Sequence, residues 1–140
     1  MFQVVIDTNV LVSALRSKRG ASYRLIMMLG DSRWQANVSV SLLLEYEQVA
    51  KRQAPQLGLT EAEVDRFLAS LCSKASLQPI FFLWRPALRD PKDEHILELA
   101  VASESDFIVT FNAKDFVGAE RFGVAVLTPG DFLRKLGGIG

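Results

Sequence analysis

The sequence predicts an α/β domain in which a mostly parallel sheet is covered by helices on both faces. Three features carry that expectation. Segments with the apolar character of strands alternate with segments of helical spacing along the chain. The first of them, Phe2 to Ile6, is apolar apart from Gln3, as in a central strand buried on both faces. The chain has 140 residues, of which 49% are hydrophobic, which is enough for one well-buried domain and short for two. A single domain over residues 1–136 is expected, with a frayed tail over residues 137–140.

The elements follow in order. After the first strand, Val10, Leu11, Ala14 and Leu15 repeat at helical spacing, and a second helix is expected over Ala21 to Leu29. Trp34 to Val38 reads as a short strand. Leu42 to Gln53 reads as a helix stopped by Pro55, which lacks an N–H and crowds the preceding turn. Thr60 with Glu63 three residues on forms a capping box, opening a helix that carries Val64, Phe67, Leu68 and Leu71. Ile80 to Leu83 is expected as a strand. Asp90 is expected to cap a helix reaching about Ser103, with Pro91 in its favoured first position. Asp106 to Thr110 and Val124 to Leu127 read as strands, and a short helix follows Pro129.

Composition excludes several functions and names none. Sixteen basic residues balance sixteen acidic ones, so bulk charge does not announce a nucleic-acid binder. One cysteine excludes a disulfide framework, and one cysteine with one histidine excludes a structural zinc site. No run approaches the roughly 18 apolar residues of a membrane span. The apolar N-terminal segment contains Asp7 and lacks the basic start of a secretory signal. A cytoplasmic protein without a membrane partner is expected, in keeping with the lone Cys72.

The acids are more informative. Ligands of open α/β sheets bind beyond the carboxyl ends of the strands. Asp7 follows Val4-Val5-Ile6 directly and falls at such an end, where it reads equally as a helix N-cap. Glu45 lies three residues after Leu42 and four before Val49, so it interrupts an apolar helical stripe or sits at its edge, while Glu47 faces away. Asp93 lies three and four residues before Ile96 and Leu97, on the inward face, with Glu94 and Glu98 assigned to the other face. First-turn capping is the alternative for Asp93. Asn112 and Asp115 follow the strand Phe107 to Val109, where a polar turn is the alternative. Asp106, at that strand's other end, should point away. If the helices pack on the sheet, Asp7, Glu45, Asp93 and Asp115 meet in one cleft and raise one another's pKa values. A hard divalent cation relieves that repulsion, and oxygen donors without cysteine or histidine select Mg2+ or Mn2+. An acidic metal site without a side-chain nucleophile suits phosphodiester hydrolysis by metal-activated water, one acid orienting the water.

Val4-Val5-Ile6-Asp7-Thr8-Asn9-Val10-Leu11 resembles the opening of PIN domains, named after the PilT N-terminus. Ser41 to Tyr46, Arg89 to Ala100 and Asp106 to Phe116 resemble the family's second, third and fourth acidic blocks, in order. The likeness runs from Met1 to about Phe132 and is nearest to VapC-like toxin components of toxin–antitoxin systems. It implies a three-layer α/β/α sandwich and an Mg2+- or Mn2+-dependent endoribonuclease acting on single-stranded RNA. By position it makes Asp7, Glu45, Asp93 and Asp115 the catalytic acids, with Asp7, Asp93 and Asp115 on the metal. Many members have Asp where Asn112 stands, and Asp115 supplies the fourth carboxylate, as in VapC-like members. Thr8, Asn9, Thr110, Asn112 and Asp90 are the supporting candidates. A homodimer and an antitoxin protein are the implied partners. The alternative is a catalytically degenerate PIN fold serving as an RNA-binding or assembly module.

Arg16, Lys18 and Lys92 are the candidate phosphate contacts. A haloacid-dehalogenase-type phosphatase needs an aspartate where Asn9 stands, a response-regulator receiver needs adjacent acids after its first strand, and no Gly-rich phosphate loop is present. His95 lies two residues after Asp93, and at 100° per residue it is expected to turn away to the surface. Cys72 and Trp34 read as packing residues, as does Trp84.

Overall fold

The computed structural model describes residues 1–80 and 93–137. Among them run five strands, β1 (Phe2–Ile6), β2 (Trp34–Val38), β3 (Ser76–Leu77), β4 (Phe107–Val109) and β5 (Ala125–Leu127). All ladders are parallel, in the order β3-β2-β1-β4-β5. The helices are α1 (Thr8–Arg16), α2 (Ala21–Met27), α3 (Val40–Leu57), α4 (Glu61–Lys74), α5 (Glu94–Ala102) and α6 (Pro129–Lys135).

The apolar run of β1 is explained by its central place. Side chains alternate across a strand. Val5 therefore joins one core, with Ile108, Leu42 and Tyr46 of α3, Val64 and Leu68 of α4, and Ile96 and Leu97 of α5. Val4 and Ile6 join a second core, with Phe107 and Val109, Val10 and Ala14 of α1, Leu25 and Ile26 of α2, and Phe132 of α6. Two cores on two faces of one parallel sheet make the three-layer α/β/α sandwich that was expected.

Chain order fixes where a ligand can sit. From β1 the chain moves outward through β2 to β3, then returns to the other side of β1 as β4. The carboxyl ends of β1 and β4 therefore flank a topological switch point, the crevice where open α/β sheets bind ligands.

Several local expectations need correction. The helix from Leu42 does not stop before Pro55; α3 runs on to Leu57 with Pro55 inside it. The proline sits in the last turn, where the end is closed by Gly58 in the left-handed region (φ +72°) and by the Leu59 N–H donating to Ala54 O at 3.0 Å. The strand that pairs with β2 is Ser76–Leu77, not Ile80 to Leu83. Ile80 lies in no regular element, and residues 81–83 fall outside the described residues. So do Trp84, Asp90, Pro91 and Lys92, and the tail beyond Gly137. Glu94 and Glu98, placed by spacing on the face away from Asp93, are nonetheless buried, each 8% exposed, because α5 is buried on nearly every side. Cys72 is exposed rather than packed. The capping box at Thr60 and Glu63 is present, and Trp34 is buried in the core. Among the described residues no helix is long and apolar enough to cross a membrane.

Candidate functional site

Asp7 follows the end of β1 directly and is also the N-cap of α1. Its backbone N–H continues the β1–β4 ladder, donating to Val109 O at 2.9 Å. The residue is only 7% exposed. Oδ1 accepts from the Thr8 N–H at 2.8 Å, and Oδ2 accepts from the Thr110 hydroxyl at 2.7 Å. Burial pushes the Asp7 carboxyl above the usual carboxylate range, and the negative charges of Glu45 and Asp115 push the same way. The Thr110 and Thr8 hydrogen bonds oppose the rise without cancelling it.

Thr110 follows β4 directly and is fully buried. Besides donating to Asp7, its hydroxyl oxygen accepts from the Asn112 N–H at 3.0 Å and from Asn9 Nδ2 at 3.3 Å. Asn9 Oδ1 in turn accepts from the Phe111 N–H at 3.3 Å. One hydroxyl thereby ties the start of α1 to the loop after β4 across the switch point. That loop turns into a 3-10 helix over Ala113–Phe116, which carries the half-buried Asp115. Asn112, exposed at its start, contributes backbone rather than side-chain bonds.

Glu45 reaches the site from α3. Its Oε2 accepts from the Thr8 hydroxyl, and its Oε1 lies 3.0 Å from His95 Nε2 on α5. Burial alone would raise its pKa, but the His95 and Thr8 hydrogen bonds outweigh burial and hold it below the usual glutamate value. Tyr46, the next residue, turns into the core and donates its hydroxyl to the Ile6 carbonyl, immediately before Asp7. Burial, with Asp7 and Glu45 nearby, raises that phenol well above its ordinary value.

The structure therefore brings Asp7, Thr8, Asn9, Glu45, Thr110 and Asp115 together. Asp93 is the half-buried N-cap of α5, on the helix whose His95 touches Glu45. Asp106 faces away as expected, its Oδ2 accepting from the Gln3 N–H at the other end of the sheet. Arg16 lines a cleft of about 340 Å³ between α1 and α3, shared with Thr8, Asn9, Val12, Glu45, Val49 and Gln53. Lys18 is exposed beyond α1, and Asp90 and Lys92 fall outside the described residues. His95 corrects the expectation of an outward ring. The helical wheel counted Asp93 as an interior residue, whereas α5 begins only at Glu94. No spacing in the sequence signals its contact with Glu45, which depends on how α3 and α5 pack.

Among the described residues no group of three or more His, Cys, Asp or Glu side chains is placed to hold a metal ion. The donor set nonetheless fits a hard divalent cation. Asp7 is a buried carboxylate with two carboxylate neighbours raising its pKa, and Mg2+ needs only one or two carboxylates beside its waters and substrate oxygens.

A model of the PIN domain family matches residues 3–114. Among solved structures, a chain of the VapBC2 complex from Rickettsia felis, crystallised with a DNA fragment from its promoter, superposes with a TM-score of 0.63. The match covers 91% of this chain and 98% of that one, at 14% sequence identity, a likeness of fold. No curated protein matches the sequence significantly.

Proposed function

This chain belongs to the PIN domain family, and on that premise we propose that it is a nuclease: a metal-dependent endoribonuclease cleaving single-stranded RNA, and the toxin component of a toxin–antitoxin pair. The observation that carries the reading is the placement of Asp7. It is a buried carboxylate at the switch point, held by Thr8 and Thr110 and facing Glu45 and Asp115. A folded chain retains so costly an arrangement where a cation is to be bound.

In this reading Asp7 and Asp93 hold Mg2+ or Mn2+, with Asp115 assisting. When bound, the ion lowers the pKa of a coordinated water and neutralises charge on the phosphate. The protein's own part is orientation. Thr110 and the Thr8 N–H fix both oxygens of Asp7. Glu45, kept ionised by His95 and Thr8, accepts a hydrogen bond from the attacking water. Arg16 lines the adjoining cleft and serves as a phosphate contact, with Lys18 and Lys92 as further candidates. The partners are RNA, a second copy of the chain and an antitoxin protein. The neighbour crystallised as a VapBC2 complex supports the last of these.

The test is Asp7→Asn. Asparagine keeps an N-cap oxygen and removes the charge, so the variant should fold, lose cleavage of a single-stranded RNA, and lose the rise in melting temperature that Mn2+ gives the parent. Full activity in chelator-washed variant supplied with Mn2+ would overturn the assignment. A parent that neither cleaves RNA nor responds to Mn2+ would favour the binding or assembly module.

A further inference from the structure

Glu45 stands where three elements meet. Its own helix is α3; Thr8 at the start of α1 donates to Oε2, and His95 on α5 meets Oε1 at 3.0 Å. Both carboxylate oxygens thus engage donors before any ligand arrives. Rotating the carboxylate toward a cation would break at least one of these bonds, so the remaining lone pairs are held in fixed directions. The ring's other nitrogen supports the same picture. His95 Nδ1 is buried and has no hydrogen-bond partner among the described residues. Of the two neutral tautomers, only Nε2–H puts its proton on the nitrogen facing the carboxylate, whereas a proton on Nδ1 would meet no acceptor among the described residues. A half-buried ring on a tightly packed helix is also a stiff donor.

We infer that His95 is a positioning residue: by donating from Nε2 it fixes Glu45 toward the attacking water rather than toward the metal. The inference rests on the nuclease reading for its catalytic consequence and on the contact alone for its geometry, and the two are tested separately.

The chain has a single histidine, so a long-range ¹H–¹⁵N imidazole spectrum of the labelled protein contains one ring. The Nε2-protonated tautomer is expected, with Nε2 shifting in Glu45→Gln. An Nδ1-protonated ring, or one indifferent to Glu45→Gln, overturns the contact. In cleavage assays His95→Leu should lower kcat about tenfold or more, with KM and the Mn2+ Kd from electron paramagnetic resonance within about twofold. His95→Gln, whose amide offers an N–H at similar reach, should recover part of the loss and keeps the test open if the leucine variant fails to fold. Unchanged kcat overturns the positioning role. So does an Mn2+ affinity that falls in step with activity, which would place His95 among the metal's own supports. If the parent cleaves no RNA, the nuclease reading fails while the spectrum still decides the contact.

Discussion

Replacing Thr110 by valine isolates the hydroxyl that joins the two strand ends. The residue is fully buried, so valine fills nearly the same space and opens no cavity. What disappears is the 2.7 Å donation to Asp7 Oδ2 and the acceptor of the Asn112 N–H and Asn9 amide. A hydrogen bond to a charged group contributes about 1.5–3 kcal/mol. Asn112 is exposed and Asn9 half-buried, so water replaces their lost acceptor and those bonds add little. The added methyl recovers up to about 0.8 kcal/mol, leaving a net cost of about 1–2 kcal/mol. Thr110→Ser keeps the hydroxyl and gives up one methyl, about 0.8 kcal/mol. Urea unfolding in chelator at pH 8 should therefore rank parent, serine, valine from most to least stable. The pH dependence has a definite sign. Asp7 has a folded pKa above its ordinary 3.8, so its favourable contribution is present below that value and is lost as pH rises through the folded pKa. Removing the Thr110 donor raises the folded pKa further. The valine penalty must then grow as Asp7 ionises and shrink again in acid. A valine variant as stable as the serine one, or a penalty unchanged between pH 8 and pH 4, would refute the assignment of Thr110 as the support of an ionised Asp7.

Other consequences are simpler to check. Tyr46→Phe removes the buried donor to the Ile6 carbonyl and should cost about 1–3 kcal/mol in the same unfolding assay; because that carbonyl immediately precedes Asp7, cleavage should fall too. Gly58→Ala places a Cβ at φ +72°, with no neighbouring atom to clash, and should cost about 1 kcal/mol through backbone strain alone. Glu45 has a folded pKa below its ordinary 4.5, so its contribution is present above that value and is lost as pH falls through the folded pKa; Glu45→Gln should flatten that part of the acid-unfolding curve.

The layers of the fold were legible because periodicity is a local property. The apolar run before Asp7 names a central strand, and the interrupted stripe at Glu45 names an inward-facing acid. Elements whose limits depend on tertiary context were not. Pro55 reads as a stop, yet the helix end is closed three residues later by Gly58. Ser76–Leu77 has no strand pattern of its own and is a strand because β2 offers a parallel edge. Helical spacing puts Glu94 and Glu98 on the face away from Asp93, but it does not show that this face is buried as well. The site divides in the same way. Asp7, Glu45 and Asp115 announce themselves as charges out of place. Thr110 is marked only by the family resemblance and His95 reads as turned away, because the bonds of both arise only when β1 meets β4 and α3 meets α5.

On the proposed function, that division explains how a chain of formal net charge zero would suit a polyanionic substrate. At the switch point the protein's donors go to its own carboxylates: Thr110 and the Thr8 N–H to Asp7, the Thr8 hydroxyl and His95 to Glu45. No arginine or lysine supplies these bonds. Arg16 faces the neighbouring cleft, its guanidinium only 3.3 Å from the neutral amide oxygen of Gln53. Asp7 and Glu45 are thus held by neutral hydroxyl and amide donors and by an imidazole, and Arg16 beside them forms no ion pair with either. A divalent cation would cancel the clustered charge and leave the protein about two charges more positive, its field then set by bases such as Arg16. Exchanging the hydroxyl donors for lysines would stabilise the empty site and remove the charge conflict that draws a cation in. On the proposed reading, the cost carried by Asp7 in the metal-free chain is tied to its capacity to bind a cation.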